Sequence, residues 1–159
     1  MARVAQRAVE VDGRGRRFAI VASRFNEGLV DLILEGAVGF LREHGVAAAD
    51  IEVLRVPGAW EIAQAAEEIA ARGSADAIVT LGVVIRGETP HFDILCAECA
   101  RALGCLASKY RIPVTFGILT CDTEEHVRAR AGGDVGNKGR EAAQAALEMT
   151  SLFEELRSS

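Results

Sequence analysis

The chain predicts an α/β protein of three layers, α/β/α, with helices on both faces of a central four-stranded parallel sheet. Two observations carry this. Four short apolar runs alternate with helical stretches, the pattern that a βαβ succession writes into a sequence. The runs are nearly continuous in apolar residues instead of alternating with polar ones, as strands buried on both faces are. Half of the 159 residues are hydrophobic, and no linker, repeat or low-complexity tract interrupts them, so residues 1–159 read as one domain. Right-handed crossovers follow from a parallel arrangement.

The elements follow in order. Val4 to Val11 has strand character but no helix to connect it in parallel, so it lies on an edge or pairs with another subunit. Phe18 to Ser23 is the first inner strand. Leu29, Leu32, Ile33, Ala37, Phe40 and Leu41 then recur three and four apart, as one helix face does. His44 and Gly45 close that helix, with glycine as the cap. Ile51 to Val56 is the next strand, followed by a turn at Pro57-Gly58 and an alanine-rich helix from Trp60 to Ala71.

Ala77 to Ile85 forms the third strand and precedes a helix from about Ile94 to Tyr110. Pro113 opens the fourth strand, Val114 to Leu119. Glu124 to Arg130 is helical, Ala131 to Gly136 breaks the pattern, and Asn137 to Leu156 is helical again.

Composition narrows the function. A net charge of −5 argues against nucleic-acid binding through clustered cations. Of the 18 cations, all but Lys109 and Lys138 are arginine, which suits bidentate phosphate contacts but also follows from genome composition. No run is apolar and long enough to span a bilayer, and Met1 to Arg17 lacks the apolar core of a secretory signal, so a cytoplasmic protein without a membrane partner is expected. Cys96 and Cys99 have C-x2-C spacing but fall within a helical pattern without a second ligand pair. No metal is expected, and the four cysteines read as reduced thiols.

In a parallel sheet all strand ends deliver residues to one rim, where ligands bind. The third strand ends in the densest chemistry: Arg86, Gly87, Glu88, Thr89 and His91 within six residues. His91 can both give and take a proton near neutrality. His44, at a helix end, and His126, on an exposed helical turn, are weaker candidates. Gly87 to Thr89 offers backbone N–H groups and a hydroxyl beside a helix start, an anion cradle.

Phe25, between Arg24 and Asn26, and Trp60 bring flat aromatic surfaces to the rim, which suit a heterocycle. Phe116, inside its strand, reads first as core. Gly132 to Gly139 looks like a phosphate loop but is no Walker A motif: Asn137 stands where glycine is needed, and no strand precedes it. A break between two helices explains it better. Arg130, just before the break, is either a phosphate partner or a solvated surface charge.

Together, Arg24 to Asn26, Val56 to Glu61, Leu81 to Asp93, Pro113 to Thr120, Arg130 to Gly132 and Gly136 to Gly139 resemble the lumazine synthase family of riboflavin biosynthesis. The stretches span nearly the whole chain, in order and at the family's spacing. The resemblance implies a flavodoxin-like strand order. It also implies a cofactor-independent condensation of 5-amino-6-(D-ribitylamino)uracil with 3,4-dihydroxy-2-butanone 4-phosphate, giving 6,7-dimethyl-8-ribityllumazine, phosphate and water.

By the same resemblance Phe25 stacks on the pyrimidine, and Ala59, Trp60 and Glu61 hold the ring and ribityl chain. Val83, Val84 and Ile85 line the heterocycle's pocket. Glu88 and Thr89 hold the phosphate from one side, Glu88 through its backbone N–H, and Arg130 from the other. His91 transfers protons, Phe116 comes from a neighbouring subunit, and Lys138 lies near the phosphate. Trp60 replaces the family's common phenylalanine.

The implied assembly is a homo-oligomer, a pentamer with active sites between subunits. An icosahedral cage of pentamers is allowed, because Arg130 to Asn137 lacks the short insertion of members restricted to pentamers, and riboflavin synthase is a candidate partner. Val4 to Val11 would join a neighbour's sheet. Two rivals share the scaffold: an archaeal-type riboflavin synthase that dismutates lumazine, and a non-catalytic flavin- or lumazine-binding shell protein.

Overall fold

A computed structural model describes Val9 and residues 11–159. Its sheet contains β1 (Phe18–Ser23), β2 (Ile51–Val56), β3 (Ala77–Ile85) and β4 (Val114–Cys121), all parallel, in the order β2-β1-β3-β4. The helices are α1 (Glu27–Glu43), α2 (Ala59–Arg72), α3 (His91–Tyr110), α4 (Glu124–Arg130) and α5 (Lys138–Ser158). The four expected strands are present at nearly the expected bounds. The edge strand expected over Val4 to Val11 lies outside the described residues, except for Val9 and Val11, which have no regular secondary structure.

Strand periodicity sorts the sheet's side chains into two cores. Phe18, Ile20 and Ala22 of β1 and Val79, Leu81 and Val83 of β3 join Val30, Ile33 and Leu41 of α1 and Ala143, Ala146 and Leu147 of α5. Ala19 and Val21, pointing the other way, join Ile78, Ile62 and Ala66 of α2, and Cys99 and Leu103 of α3. Each fully buried isoleucine or leucine in these layers contributes about 1.5–3 kcal/mol relative to an exposed one. Every residue of β1 is buried, whereas β2, at the edge, leaves Glu52 and Val53 exposed.

The chain runs outward from β1 to β2, then crosses back to β3 and β4. The direction of winding reverses there, so α1 covers one face while α2 and α3 cover the other. Between β1 and β3 the neighbouring connections leave on opposite faces, which opens a crevice at the carboxyl ends of these strands.

Two local features differ from the expectation. The third helix starts at His91, not near Ile94, because Pro90 serves as its N-cap and its carbonyl accepts from the N–H groups of Asp93 and Ile94. The break after Arg130 is a small antiparallel hairpin, β5 (Ala131–Gly133) with β6 (Gly136–Asn137). Asn137 then caps α5: its Oδ1 accepts from the Arg140 N–H at 3.0 Å, and its Nδ2 donates to the Leu32 carbonyl at 3.0 Å. A Cβ on Gly139 would lie 1.8 Å from the Ile33 carbonyl oxygen, so this glycine permits the close crossing of α1 and α5.

Candidate active site

Backbone bonds between strand ends build the rim. The Arg24 N–H donates to the Val56 carbonyl at 2.8 Å, and the Phe25 N–H to that of Pro57 at 3.1 Å. Asn26 follows in the left-handed region, φ 60°, which asparagine tolerates better than most residues. Its side-chain amide donates to the Val83 carbonyl at 3.1 Å. Phe25 is thereby held above the junction of β1, β2 and β3 with 71% of its surface exposed. A ring that exposed is not core packing within this chain.

Phe25 lines a cavity of about 760 Å³ together with Ala59, Trp60, Glu61, Val83, Val84, Ile85, Thr89 and His91. That volume falls within the ~300–1,000 Å³ of small-molecule sites. The lining is mostly apolar, and Trp60 is also more than half exposed. The Glu61 carboxylate is partly committed: its Oε2 accepts from the Gly58 N–H at 2.9 Å and so caps α2. Pro57, Gly58, Gly87, Phe92, Ile94 and Leu95 complete the wall. Of these, Ile94 and Leu95 had no rim signal in the sequence, since only the early start of α3 turns its first residues toward the crevice.

His91, the first residue of α3, is exposed, and among the described residues its ring makes no hydrogen bond. Thr89 precedes it by two residues, beside the N-terminal end of a 20-residue helix whose dipole favours an anion. Glu88 is exposed and does not line the cavity. His44 stacks on Phe40 at 4.0 Å, with Nδ1 2.8 Å from the Phe40 carbonyl, and closes α1. His126 lies in the first turn of α4, where its N–H donates to Thr123.

Phe116 and Arg130 do not join this cavity. They line a second cleft of about 460 Å³ along β4 with Thr120, Cys121 and Lys138. Phe116 is 46% exposed, so its expected place in this chain's core is corrected: among the described residues β4 is an edge strand of the sheet, and no further strand covers the ring. Arg130 donates to the His126 carbonyl at 3.0 Å, and among the described residues it meets no carboxylate. Lys138 pairs with Glu141 at 2.7 Å.

Arg86 is engaged elsewhere than the sequence pattern implied. Instead of facing the cavity as a free cation, it pairs with Asp122 and Asp93, which push its pKa further up, Asp122 most. All four cysteines are free. Burial pushes the thiols of Cys96, Cys99 and Cys121 up, away from nucleophilic thiolate character. Among the described residues no helix is long and apolar enough to cross a membrane.

Fold and site together define a three-layer α/β/α domain with an apolar, aromatic-rimmed ligand crevice at the switch point of a parallel sheet. Residues 15–154 match the family described as 6,7-dimethyl-8-ribityllumazine synthase, and the chain belongs to that family. Three similar proteins carry the same name. The one from Aquifex aeolicus is 49% identical over 148 residues, 93% of this chain and 96% of its own. That from Gemmatimonas aurantiaca is 52% identical over 145 residues, 91% and 88% of the two chains. The Desulfovibrio desulfuricans protein is 43% identical over 149 residues, covering 94% and 96%.

Proposed function

We propose that this chain condenses 5-amino-6-(D-ribitylamino)uracil with 3,4-dihydroxy-2-butanone 4-phosphate to 6,7-dimethyl-8-ribityllumazine, the penultimate step of riboflavin biosynthesis. The observation that carries the reading is the gathering of Phe25, Trp60, Thr89 and His91, from three separate segments, around one cavity. The pyrimidine stacks on Phe25, beside Trp60 and over Val83 to Ile85, while Ala59 and Glu61 face the ribityl chain. Phosphate lies by Thr89 and the backbone at Glu88, at the start of α3.

The substrate amine attacks the ketone and water leaves to form an imine. Phosphate departs by elimination, and the ring closes on the second carbonyl with loss of another water. His91 moves protons in these steps. The nucleophile belongs to the substrate, so no activated serine or cysteine is needed. Holding two substrates together contributes several kcal/mol of the barrier reduction, on the order of the entropic effect in intramolecular reactions.

The site is completed by a neighbouring subunit that contributes Phe116, Arg130 and Lys138. Their placement in a separate cleft beside β4 supports this, because among the described residues they do not line the His91 cavity. Pentamers satisfy such an arrangement, and a cage of pentamers enclosing riboflavin synthase in the cytoplasm extends it. Mixing the purified chain with both substrates and following lumazine fluorescence tests the reaction. Product from both substrates is expected. Riboflavin from lumazine alone would instead favour the dismutase, and no product from any mixture the shell protein. Light scattering that gave a stable monomer would remove the shared site.

A further inference from the structure

The Arg86 side chain joins three elements at the end of β3. Its backbone N–H extends the β3–β4 ladder by one bond, donating to the Cys121 carbonyl at 2.9 Å. Nε donates to Asp122 Oδ1 at 2.7 Å, just beyond β4. Nη1 donates to both carboxylate oxygens of Asp93 at 3.2 Å, in the first turn of α3. The guanidinium carbon lies 4.2 Å from the ring centroid of Phe92, a buried residue in that same turn.

His91 stands directly before Phe92 and Asp93. Its own ring makes no hydrogen bond among the described residues, so the imidazole's position is inherited from the backbone of this turn. Phe92 and Asp93 set that backbone, and Arg86 grips both. A planar guanidinium can stack on a ring and bond two carboxylates at once, whereas an ammonium offers a point charge without a stacking face. The three charged side chains are each at least 44% exposed. Ion pairs that exposed add little to stability, so the arrangement acts through geometry more than through folding energy.

We infer that Arg86 is a positioning residue for the condensation: it straps the first turn of α3 to the end of β4 and thereby sets where the His91 imidazole meets the substrates. The inference rests on the proton-transfer role proposed for His91. Misplacement of a reacting group by about 1 Å can cost up to ~10²-fold in rate.

The test is steady-state kinetics on four full-length proteins: unsubstituted, Arg86→Met, His91→Ala and the double variant. Arg86→Met is expected to lower kcat about tenfold, with the KM for the pyrimidine substrate within about twofold, because Phe25 and Trp60 come from other segments, after β1 and at the start of α2. On the His91→Ala background the same substitution is expected to change kcat by less than about twofold, the mark of two residues acting through one another. Arg86→Lys should restore part of the loss.

Equal losses in both backgrounds would overturn the strap's action through His91 and leave the histidine's own role standing. An unchanged kcat in His91→Ala alone would instead remove the histidine's role, and the inference with it. Should Arg86→Met not fold, Asp122→Asn breaks one bridge and leaves Arg86 in place. A kcat loss of about threefold, absent on the His91→Ala background, is then expected, and no loss overturns the proposal.

Discussion

The side-chain amide of Asn26 donates to the carbonyl oxygen of Val83 at 3.1 Å, which fastens the loop bearing Phe25 to the strand end that floors the cavity. Asn26 does so from the left-handed region, which costs a β-carbon-bearing residue about 1–2 kcal/mol unless a local hydrogen bond offsets it. Asn26→Ala forfeits that bond as well, typically another ~0.5–1.5 kcal/mol. Denaturant unfolding should show a total loss of about 2 kcal/mol, and the KM for the pyrimidine should rise as the Phe25 ring loses its mooring. Asn26→Gly, which accepts the conformation but lacks the amide, should lose only the smaller part. Equal losses in both variants would refute the division.

His91→Ala should slow turnover by about a hundredfold, the lower end of general acid–base contributions, without abolishing it. Most of the acceleration comes from holding two substrates together, which the Phe25 wall and the anion cradle still do. Complete loss of activity in a variant that binds substrate normally would contradict this division of labour.

Arg130→Ala should raise the KM for the phosphorylated substrate and leave that for the pyrimidine nearly unchanged. Because His91 and Arg130 line different cavities of one chain, mixed oligomers offer a sharper check. Co-assembly of His91→Ala subunits with Arg130→Ala subunits should regain activity, since some interfaces then pair an intact His91 with an intact Arg130. Failure to regain any, once mixing is shown by mass spectrometry, would place both residues in a site of one subunit.

Gly139→Ala should destabilise the fold by more than the ~1–3 kcal/mol usual for overpacking, because the new methyl meets a backbone carbonyl 1.8 Å away and not a flexible side chain. The crossing of α1 and α5 must open to admit it. A melting temperature within a degree of the parent protein would show that the crossing is looser than the geometry states.

Asp122 offers a check on the strap that does not involve activity. The hydrogen bond from Arg86 holds its carboxyl below the ordinary value of 3.8. A depressed pKa makes the contribution fully present above that value and loses it only as the pH falls through the lower, folded value. Carbon-detected NMR titration should therefore place the Asp122 midpoint below 3.8, and Arg86→Met should return it toward 3.8. A midpoint at 3.8 in the parent protein would mean that the pair is open in solution.

Much of this arrangement was legible in the sequence because it rests on local chemistry. Apolar continuity marked the strands, three-and-four spacing marked α1, and Pro57 and Gly58 marked the turn that ends β2. The start of α3 was less visible, since Pro90 and His91 interrupt the apolar pattern while leaving the backbone free to turn. The hairpin after Arg130 was hidden for a related reason: strands of three and two residues are too short to write a period.

By itself the sequence determined that a parallel sheet would present Phe25, Trp60, Thr89 and His91 at one edge, because strand direction alone decides which ends share a rim. Tertiary structure decided how those residues are partnered. It spent Arg86 on Asp93 and Asp122 instead of on a ligand, and it set Phe116 and Arg130 in a second cleft beside β4, apart from the histidine. The reason is physical: the Arg86–Asp122 pair joins positions 36 residues apart, and such meetings depend on strand order and register, which sequence spacing does not encode.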